Sequence, residues 1–166
     1  MCTTTVRPAT AADLGAVVTL ALELTRQHIT YDPRRYRLEA FSQHATIDDV
    51  YWTFFSETIA SQNARVLVAA DDILDVVGYA FVRFEQPNFL ALCGPSGWIH
   101  EIYVSQRERR LGIGRMLLDA AIDALRRLGA QEIMLSVAAQ NTAAQKLFAR
   151  RGFSATVYEY RLGGDA

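Results

Sequence analysis

Cysteine is nearly absent from the 166-residue sequence, which has only Cys2 and Cys93. Two thiols, one of them beside the N-terminus, do not indicate a disulfide framework. No cluster of histidine and cysteine has the spacing of metal ligands. The apolar runs are too short for a membrane span, and the first residues lack the apolar core of a signal peptide. We therefore expect a cytoplasmic protein with no metal site and no membrane segment.

An excess of charge is also lacking, because 17 basic residues nearly balance 18 acidic ones and the net charge is −1. A general nucleic-acid-binding protein would be strongly basic, so we expect no nucleic-acid partner. Positive charge is instead concentrated in one segment, which suits a compact polyanionic ligand. Its arginines are Arg107, Arg109, Arg110 and Arg115. No repeat or linker interrupts the chain, and its length fits one domain, residues 1–166.

The stretch from Trp98 to Gly129 reads as a strand, a glycine-bearing turn and a long helix. The strand is Trp98–Val104, which is rich in aromatic and β-branched residues. Apolar residues then recur at helical spacing from Ile113 to Leu128, and charged residues lie on the opposite face. Gly129 suits the left-handed position just after a helix.

The start of this helix is where we expect chemistry. Its first amides have no intrahelical acceptor, and Gly112 and Gly114 allow an anion to approach them closely. The alternative is an ordinary surface turn with solvated arginines. The strand before the turn and the helix after it favour a phosphate site. The turn has neither the third glycine of a dinucleotide fingerprint nor the Gly-Lys-Ser/Thr of a P-loop.

The rest of the chain alternates between helical and strand patterns. Helices are predicted from Leu14 to about His28, from near Ile47 to Ser61 and from Asn141 to Arg151. Strands are predicted at Thr3–Arg7, Val66–Ala70, Val76–Phe84, Glu132–Val137 and Ala155–Tyr160, and Phe41–Ala45 is ambiguous. A strand–helix–strand crossover implies that Trp98–Val104 and Glu132–Val137 are parallel. Gly78 predicts a bulge or a close backbone approach.

Two motifs resemble those of one family. Residues 109–114, Arg-Arg-Leu-Gly-Ile-Gly, resemble the acyl-CoA motif Arg/Gln-x-x-Gly-x-Gly/Ala of the GNAT superfamily of N-acetyltransferases. Residues 141–153 resemble its Asn-x-x-Ala-x-x-Leu-Tyr-x-x-x-Gly-Phe, with Phe148 in place of the Tyr. The resemblance implies a single-domain α/β fold (mixed α+β). Its twisted, mostly antiparallel sheet would have a splayed central parallel strand pair and helices on both faces.

The resemblance also implies that acetyl-CoA is the co-substrate, with pantetheine in the gap between the parallel strands. Main-chain groups of Ile102, Tyr103 and Val104 would bind pantetheine. The turn would hold the pyrophosphate through Arg109, Arg110, Leu111, Gly112, Ile113, Gly114 and Arg115. Asn141 and Phe148 would border the other side of the arm. Asn141 is alternatively a helix cap, a role that asparagine favours.

A general base is expected on the central strand, because an amine must be neutral to attack the thioester. Strict alternation would put Trp98, His100, Ile102 and Val104 on one face and Ile99, Glu101 and Tyr103 on the other. Similar proteins commonly have Glu at the place of His100. His100 is the first candidate, because histidine titrates near neutrality. Glu101 is the fallback, because a bulge changes the phase of a strand. Either residue is alternatively structural.

Phe148 cannot protonate the leaving thiolate, so Tyr103, Ser136, Tyr158 or water remain alternatives for that step. Cys93 lies in a glycine- and proline-bearing loop without an activating partner, which argues for direct transfer. We expect acetylation of a primary amine of a small molecule or peptide. The alternatives are a non-catalytic acyl-CoA-binding module and, less favoured, a nucleotide-phosphate enzyme. The loops 27–41 and 85–97 would contact the acceptor, and an exposed strand edge would permit a homodimer.

Overall fold

The computed structural model describes residues 4–37, 46–71, 75–90 and 92–162. The chain divides into two units, residues 1–136 and residues 137–166. The segment 41–45, whose pattern is ambiguous, lies outside the described residues. The single domain over residues 1–166 remains a prediction.

The first unit contains eight of the regular elements, in the chain order expected. They are β1 (Thr5–Pro8), α1 (Leu14–Tyr31), α2 (Ile47–Ala60), β2 (Ala64–Ala70), β3 (Val76–Glu85), β4 (Ser96–Val104), α3 (Ile113–Arg127) and β5 (Ile133–Leu135). Short 3₁₀ turns precede α1 at 11–13 and follow β4 at 106–108. Among the described residues, the second unit contains one helix, α4 (Thr142–Arg150).

The five strands form one sheet in the order β1-β2-β3-β4-β5. The first three pairings are antiparallel, and β4 and β5 are parallel, as the crossover through α3 requires. This confirms the mixed, mostly antiparallel sheet with one parallel pair; in the described residues that pair lies at the end of the strand order, with β5 last.

Several strand ends differ from the prediction by one or two residues, including both ends of β1 and of β5. β1 includes Pro8, which pairs with Leu67 in the ladder, and β5 is limited to three residues.

The predicted strand Ala155–Tyr160 is wrong. These residues have no ladder partner in the described chain and no regular structure. Val157 and Tyr160 are 80% and 90% exposed, so no face of the segment is buried. A β-prone composition marks a segment that packs well on a sheet, but only pairing and burial make it a strand.

Helices cover both faces of the sheet, as expected. On one face, α1 and α2 pack over β2 and β3, where Phe55 stands edge-on to Tyr79 and Phe81 with ring centroids 5.8 and 6.3 Å apart. On the other face, α3 packs closely against β3 and β4. A Cβ added to Gly78 would lie 2.8 Å from the carbonyl oxygen of Tyr103 and 3.0 Å from Leu117 Cδ1. Gly78 therefore marks the predicted close backbone approach.

Candidate active site

The parallel pairing between β4 and β5 stops long before β4 ends. Its last register pair is Ile99 with Leu135, while β4 continues to Val104. In this region the N–H of Ser105 donates to the carbonyl of Val77, at 2.9 Å. Since inward and outward main-chain groups alternate along a strand, Ile102 and Val104 present their N–H and C=O groups on the side away from β3.

This open edge offers main-chain donors and acceptors to an extended ligand that contains amides. Ile102 and Val104 fit the predicted pantetheine-binding role. Tyr103 directs its main chain towards β3 instead. The carbonyl of Val104 already accepts a hydrogen bond from Nε of Arg109, at 3.1 Å.

The turn after β4 leads into an uncapped helix start. Gly112, at φ 86°, is the N-cap of α3, and no side chain caps it within the described chain. The N–H groups of Arg115 and Met116 donate to the carbonyl of Gly112, at 3.0 and 3.1 Å. The N–H groups of Ile113 and Gly114 precede them and have no acceptor among the described residues.

Two free amides at the positive end of a 15-residue helix are the arrangement that binds phosphate groups. A Cβ added to Gly112 would meet nothing within 4 Å, so its glycine is required by the left-handed backbone and not by packing. Arg110 also has a positive φ, of 68°. For a non-glycine residue this conformation costs roughly 1 kcal/mol or more.

The arginines of the turn separate into two kinds. Arg109 is turned back onto the protein. Its guanidinium lies 5.2 Å from the centroid of the Tyr103 ring and donates to Oε1 of Gln27 at 2.9 Å. Arg109 therefore ties the turn to the end of β4 and to α1. Arg115 is 77% exposed and 3.7 Å from Asp119, and exposed Arg107 and Arg110 flank the same turn.

A bulge in β4 overturns the predicted alternation of its side chains. Val82 pairs with Ile99 and Phe81 pairs with Glu101, which leaves His100 as an inserted residue. One extra residue reverses the facing of everything after it. The prediction that Ile99 shares a face with Glu101 is therefore wrong.

Contacts identify the faces after the bulge. The ring of His100 stacks on those of Phe81 and Trp98, with centroids 5.0 and 6.1 Å away. Glu101 also points to the α2 side of the sheet, where it meets Tyr79. The opposite, α3-facing side holds Ile99, Ile102 and Val104, which pair with Val82, Ala80 and Gly78. Both candidate bases consequently lie on one face.

The surroundings of the two candidates differ. Glu101 is partly buried, and its Oε2 accepts a hydrogen bond from the hydroxyl of fully buried Tyr79, at 2.8 Å. Burial raises the pKa of Glu101, and the bond from Tyr79 opposes that rise. His100 is exposed, and its Nε2 is 3.0 Å from Oε1 of Glu85. A carboxyl group whose pKa is raised by burial has the profile of a general base at neutral pH.

The second unit contains the remaining predicted residues. Oδ1 of Asn141 accepts from the N–H of Ala144 at 3.2 Å, so Asn141 caps α4, as its alternative interpretation held. Phe148 is buried, and its ring meets that of Phe153 at 6.0 Å. Of the candidates for protonating the thiolate, Tyr158 is 77% exposed in this unit.

In the first unit, Ser136 is exposed and Tyr103 is buried. Burial raises the pKa of Tyr103, which also interacts with Arg109 and Glu23. The sequence patterns did not single out Tyr79. Its position opposite Tyr103 follows from the β3–β4 register, which the hairpin pattern alone leaves undetermined.

One cleft of the described chain lies away from the predicted site residues. A cleft of about 390 Å³ lies between β1, β2 and α3, and none of the predicted site residues lines it. Within the described ranges, no group of three or more His, Cys, Asp or Glu residues is placed to hold a metal ion. No helix in those ranges is long and apolar enough to cross a membrane.

The two parallel strands are joined by a helix whose uncapped start lies in an Arg-x-x-Gly-x-Gly turn, and this arrangement agrees with the fold that the sequence motifs implied. Comparison with known families agrees. The model described as the acetyltransferase (GNAT) family matches residues 27–153, so the chain belongs to the GNAT family.

Individual proteins are similar at different levels. An N-alpha-acetyltransferase from Sulfurisphaera tokodaii is 34% identical over 105 residues, which are 60% of this chain and 62% of that protein. The chain thus matches less than two thirds of this relative's length.

Two solved structures share the fold. One is a tetramutant of a Bacillus halodurans protein, with a TM-score of 0.81 and 20% identity over 96% of this chain and 99% of that one. The other is a predicted acetyltransferase from Clostridium acetobutylicum, solved with acetyl-CoA. It has a TM-score of 0.70 and 18% identity over 97% of this chain and 96% of that one.

Proposed function

We propose that this protein transfers the acetyl group of acetyl-CoA directly to a primary amine of a small molecule or peptide, with Glu101 as the general base. The observation that carries the proposal is the partly buried carboxylate of Glu101, placed on β4 just before the strand's open main-chain edge. Membership of the GNAT family supports acetyl transfer.

The co-substrate would lie along β4 and end at the turn. Ile102 and Val104 would bond the amides of pantetheine, and the free amides of Ile113 and Gly114 would hold the pyrophosphate. Exposed Arg110 and Arg115 would add charge, while Arg109 would hold the turn in place. The solved relative from Clostridium acetobutylicum binds acetyl-CoA, which supports this ligand. Asn141 and Phe148 remain predicted neighbours of the arm.

Glu101 would act on the acceptor. It would take a proton from the incoming ammonium group, directly or through water, so that the neutral nitrogen attacks the thioester carbonyl. The C–N bond forms, the C–S bond breaks, and the nitrogen loses a second proton as it becomes an amide. One of the two protons goes to the thiolate, and the other is released from Glu101 to solvent. Burial raises the pKa of Glu101, which brings its basicity closer to that of the amine.

The acceptor class is narrowed only by the relatives. The protein from Sulfurisphaera tokodaii is an N-alpha-acetyltransferase, which makes peptide N-termini the first acceptors to try. Amino acids, polyamines and aminoglycosides complete a panel that covers small amines.

The decisive experiment measures release of free thiol from acetyl-CoA across this panel, with wild type and Glu101→Gln. Wild type should turn over at least one acceptor. The variant should lose roughly 10²–10⁴-fold in kcat, the usual contribution of a general base. Its affinity for acetyl-CoA should be unchanged, because its amide can still accept the bond from Tyr79. Equal kcat in both proteins would remove Glu101 from the mechanism.

A non-catalytic acyl-CoA-binding module is the second candidate. It is favoured by Phe148, which has no hydroxyl to protonate a thiolate. Such a module would bind acetyl-CoA tightly in a calorimetric titration. In the thiol-release assay it would give no turnover with any acceptor.

A further inference from the structure

Tyr79 is a buried tyrosine whose hydroxyl forms a hydrogen bond with the proposed base, Glu101. Its side chain is completely inaccessible to solvent, and its hydroxyl donates to Oε2 of Glu101 at 2.8 Å. Phe55 stands edge-on to its ring, and β3 and β4 pair Tyr79 with Tyr103. The hydroxyl is therefore held by the sheet and by α2, and it has little freedom to choose another partner.

The groups near Glu101 come from β3, α2 and β4, and residues of α1 and of the turn contact some of them. β3 supplies Tyr79, and α2 supplies Tyr51, whose hydroxyl pairs with Thr25 of α1. β4 itself supplies His100 and Tyr103, and Tyr103 interacts with Glu23 of α1 and with Arg109 of the turn. Among the described residues, Tyr79 is the one side chain that donates a hydrogen bond to Glu101. No described cation forms an ion pair with that carboxylate.

We propose that Tyr79 is a positioning residue for Glu101: its hydroxyl fixes Oε2 and leaves Oε1 to receive the proton of the acceptor. This inference rests on the proposed function, in which Glu101 is the base. It adds a residue that lies outside both GNAT motifs and that has no direct access to substrate.

The arrangement has a defined effect on pH dependence. Burial raises the pKa of Glu101, and the hydrogen bond from Tyr79 lowers it. The pKa of the Tyr79 hydroxyl is raised well above its ordinary value by burial and by the Glu101 charge, so Tyr79 stays a donor wherever Glu101 titrates. Loss of the hydroxyl removes stabilisation from the charged carboxylate and must raise the pKa of Glu101 further.

The test is the pH profile of kcat/KM for Tyr79→Phe, which deletes only the hydroxyl. A hydrogen bond to a charged group corresponds to about one to two pH units, so the acid limb should move upward by that amount. The rate should fall about tenfold or more below the new limb and approach that of wild type above it. KM for acetyl-CoA should not change. A variant that was merely damaged would lose activity equally at every pH.

The matched control is Tyr51→Phe. It removes a hydroxyl that is also close to Glu101 but bonds Thr25 instead. Its acid limb should stay within about 0.3 unit of wild type, because the effect of Tyr51 on the carboxylate acts only through space. In the Glu101→Gln background, Tyr79→Phe should cause no further loss of kcat.

A direct titration separates failure of this inference from failure of the proposed function. The ¹³C carboxyl resonance of Glu101, assigned with Glu101→Gln, is followed against pH in the free protein without any acceptor. The Tyr79→Phe variant should titrate at higher pH than wild type. An unchanged titration overturns the role of Tyr79 even if the enzyme is active. A shifted titration without turnover on any amine supports the contact and counts against acetyl transfer.

Discussion

The open edge of β4 and its α2-facing surface lie at neighbouring residues of one strand. The edge is built from main-chain groups, whereas the surface is built from side chains. The edge consists of main-chain groups of Ile102 and Val104, followed by the free amides at the start of α3. The α2-facing surface consists of side chains, Glu101 and the aromatic rings around it. The edge is determined by where pairing ends, and the surface is determined by the register of β4.

This difference predicts how the two regions respond to mutation. Most side-chain substitutions leave a main-chain site intact. Binding at the edge should therefore be weakened only by substitutions that change the backbone conformation or place a negative charge beside the free amides. On the α2-facing surface, removal of one functional group should change the chemistry and leave acetyl-CoA binding alone. Substitutions in the two regions should therefore separate loss of acetyl-CoA binding from loss of turnover.

Gly112→Asp should abolish the binding of acetyl-CoA while the fold remains. An aspartate at φ 86° is strained, and its carboxylate would compete with a phosphate for the free amides of α3. We expect the Kd measured by calorimetry to rise more than about 100-fold, which is about 2.7 kcal/mol. Circular dichroism should stay that of wild type.

Gly129→Asp is the control for that experiment. Gly129 also has a left-handed backbone, at φ 96°, and a Cβ there meets nothing within 4 Å. Strain and charge are therefore matched, but the substitution follows the other end of α3. Equal loss of affinity in the two variants would show that strain, and not anion binding, is responsible.

Gly78→Ala should affect both regions, because Gly78 lets β3 and β4 lie against α3. The new Cβ would be 2.8 Å from a main-chain oxygen of Tyr103, so the backbone must shift. We expect the free energy of unfolding to fall by about 1–3 kcal/mol in urea titrations. We also expect kcat to fall, because a shift of the β3–β4 ladder would move Tyr79 and Glu101, which belong to that ladder.

Gly15→Ala provides the comparison for stability. Gly15 lies in α1, and a Cβ there meets nothing within 4 Å. Alanine should raise the free energy of unfolding by about 0.5–1 kcal/mol, since glycine is the poorer helix former. If Gly78→Ala is equally harmless, the close approach of β3 to β4 is not tight in solution.

The same division explains which features could be predicted from the sequence. The helix from Ile113 has a strong periodicity, the strand before it is rich in aromatic and β-branched residues, and Gly112 follows from the backbone that the turn requires. The bulge at His100 has no such pattern, because one inserted residue leaves composition and hydrophobicity almost unchanged. The facing of Glu101 and its contact with Tyr79 depend on that insertion and on the β3–β4 register. The segment 155–160 failed for the related reason that strand propensity does not report a pairing partner.

The smallest expected effect is that of His100→Gln, which tests whether His100 is the base. His100 is exposed, and its contact with Glu85 is between side chains that are 35% and 38% accessible. Such surface pairs contribute little. We therefore expect kcat/KM within about twofold of wild type and an unchanged acid limb, since Glu101 retains Tyr79.

Comparison with Glu101→Gln makes the His100 experiment decisive, because the two residues are adjacent and both face α2. If the acid limb vanishes in His100→Gln and persists in Glu101→Gln, the base is His100, the first candidate from the sequence. If it vanishes in Glu101→Gln alone, the base is the residue that the bulge turned towards Tyr79. Glu85→Gln, which removes the partner of His100, should then leave the profile unchanged as well.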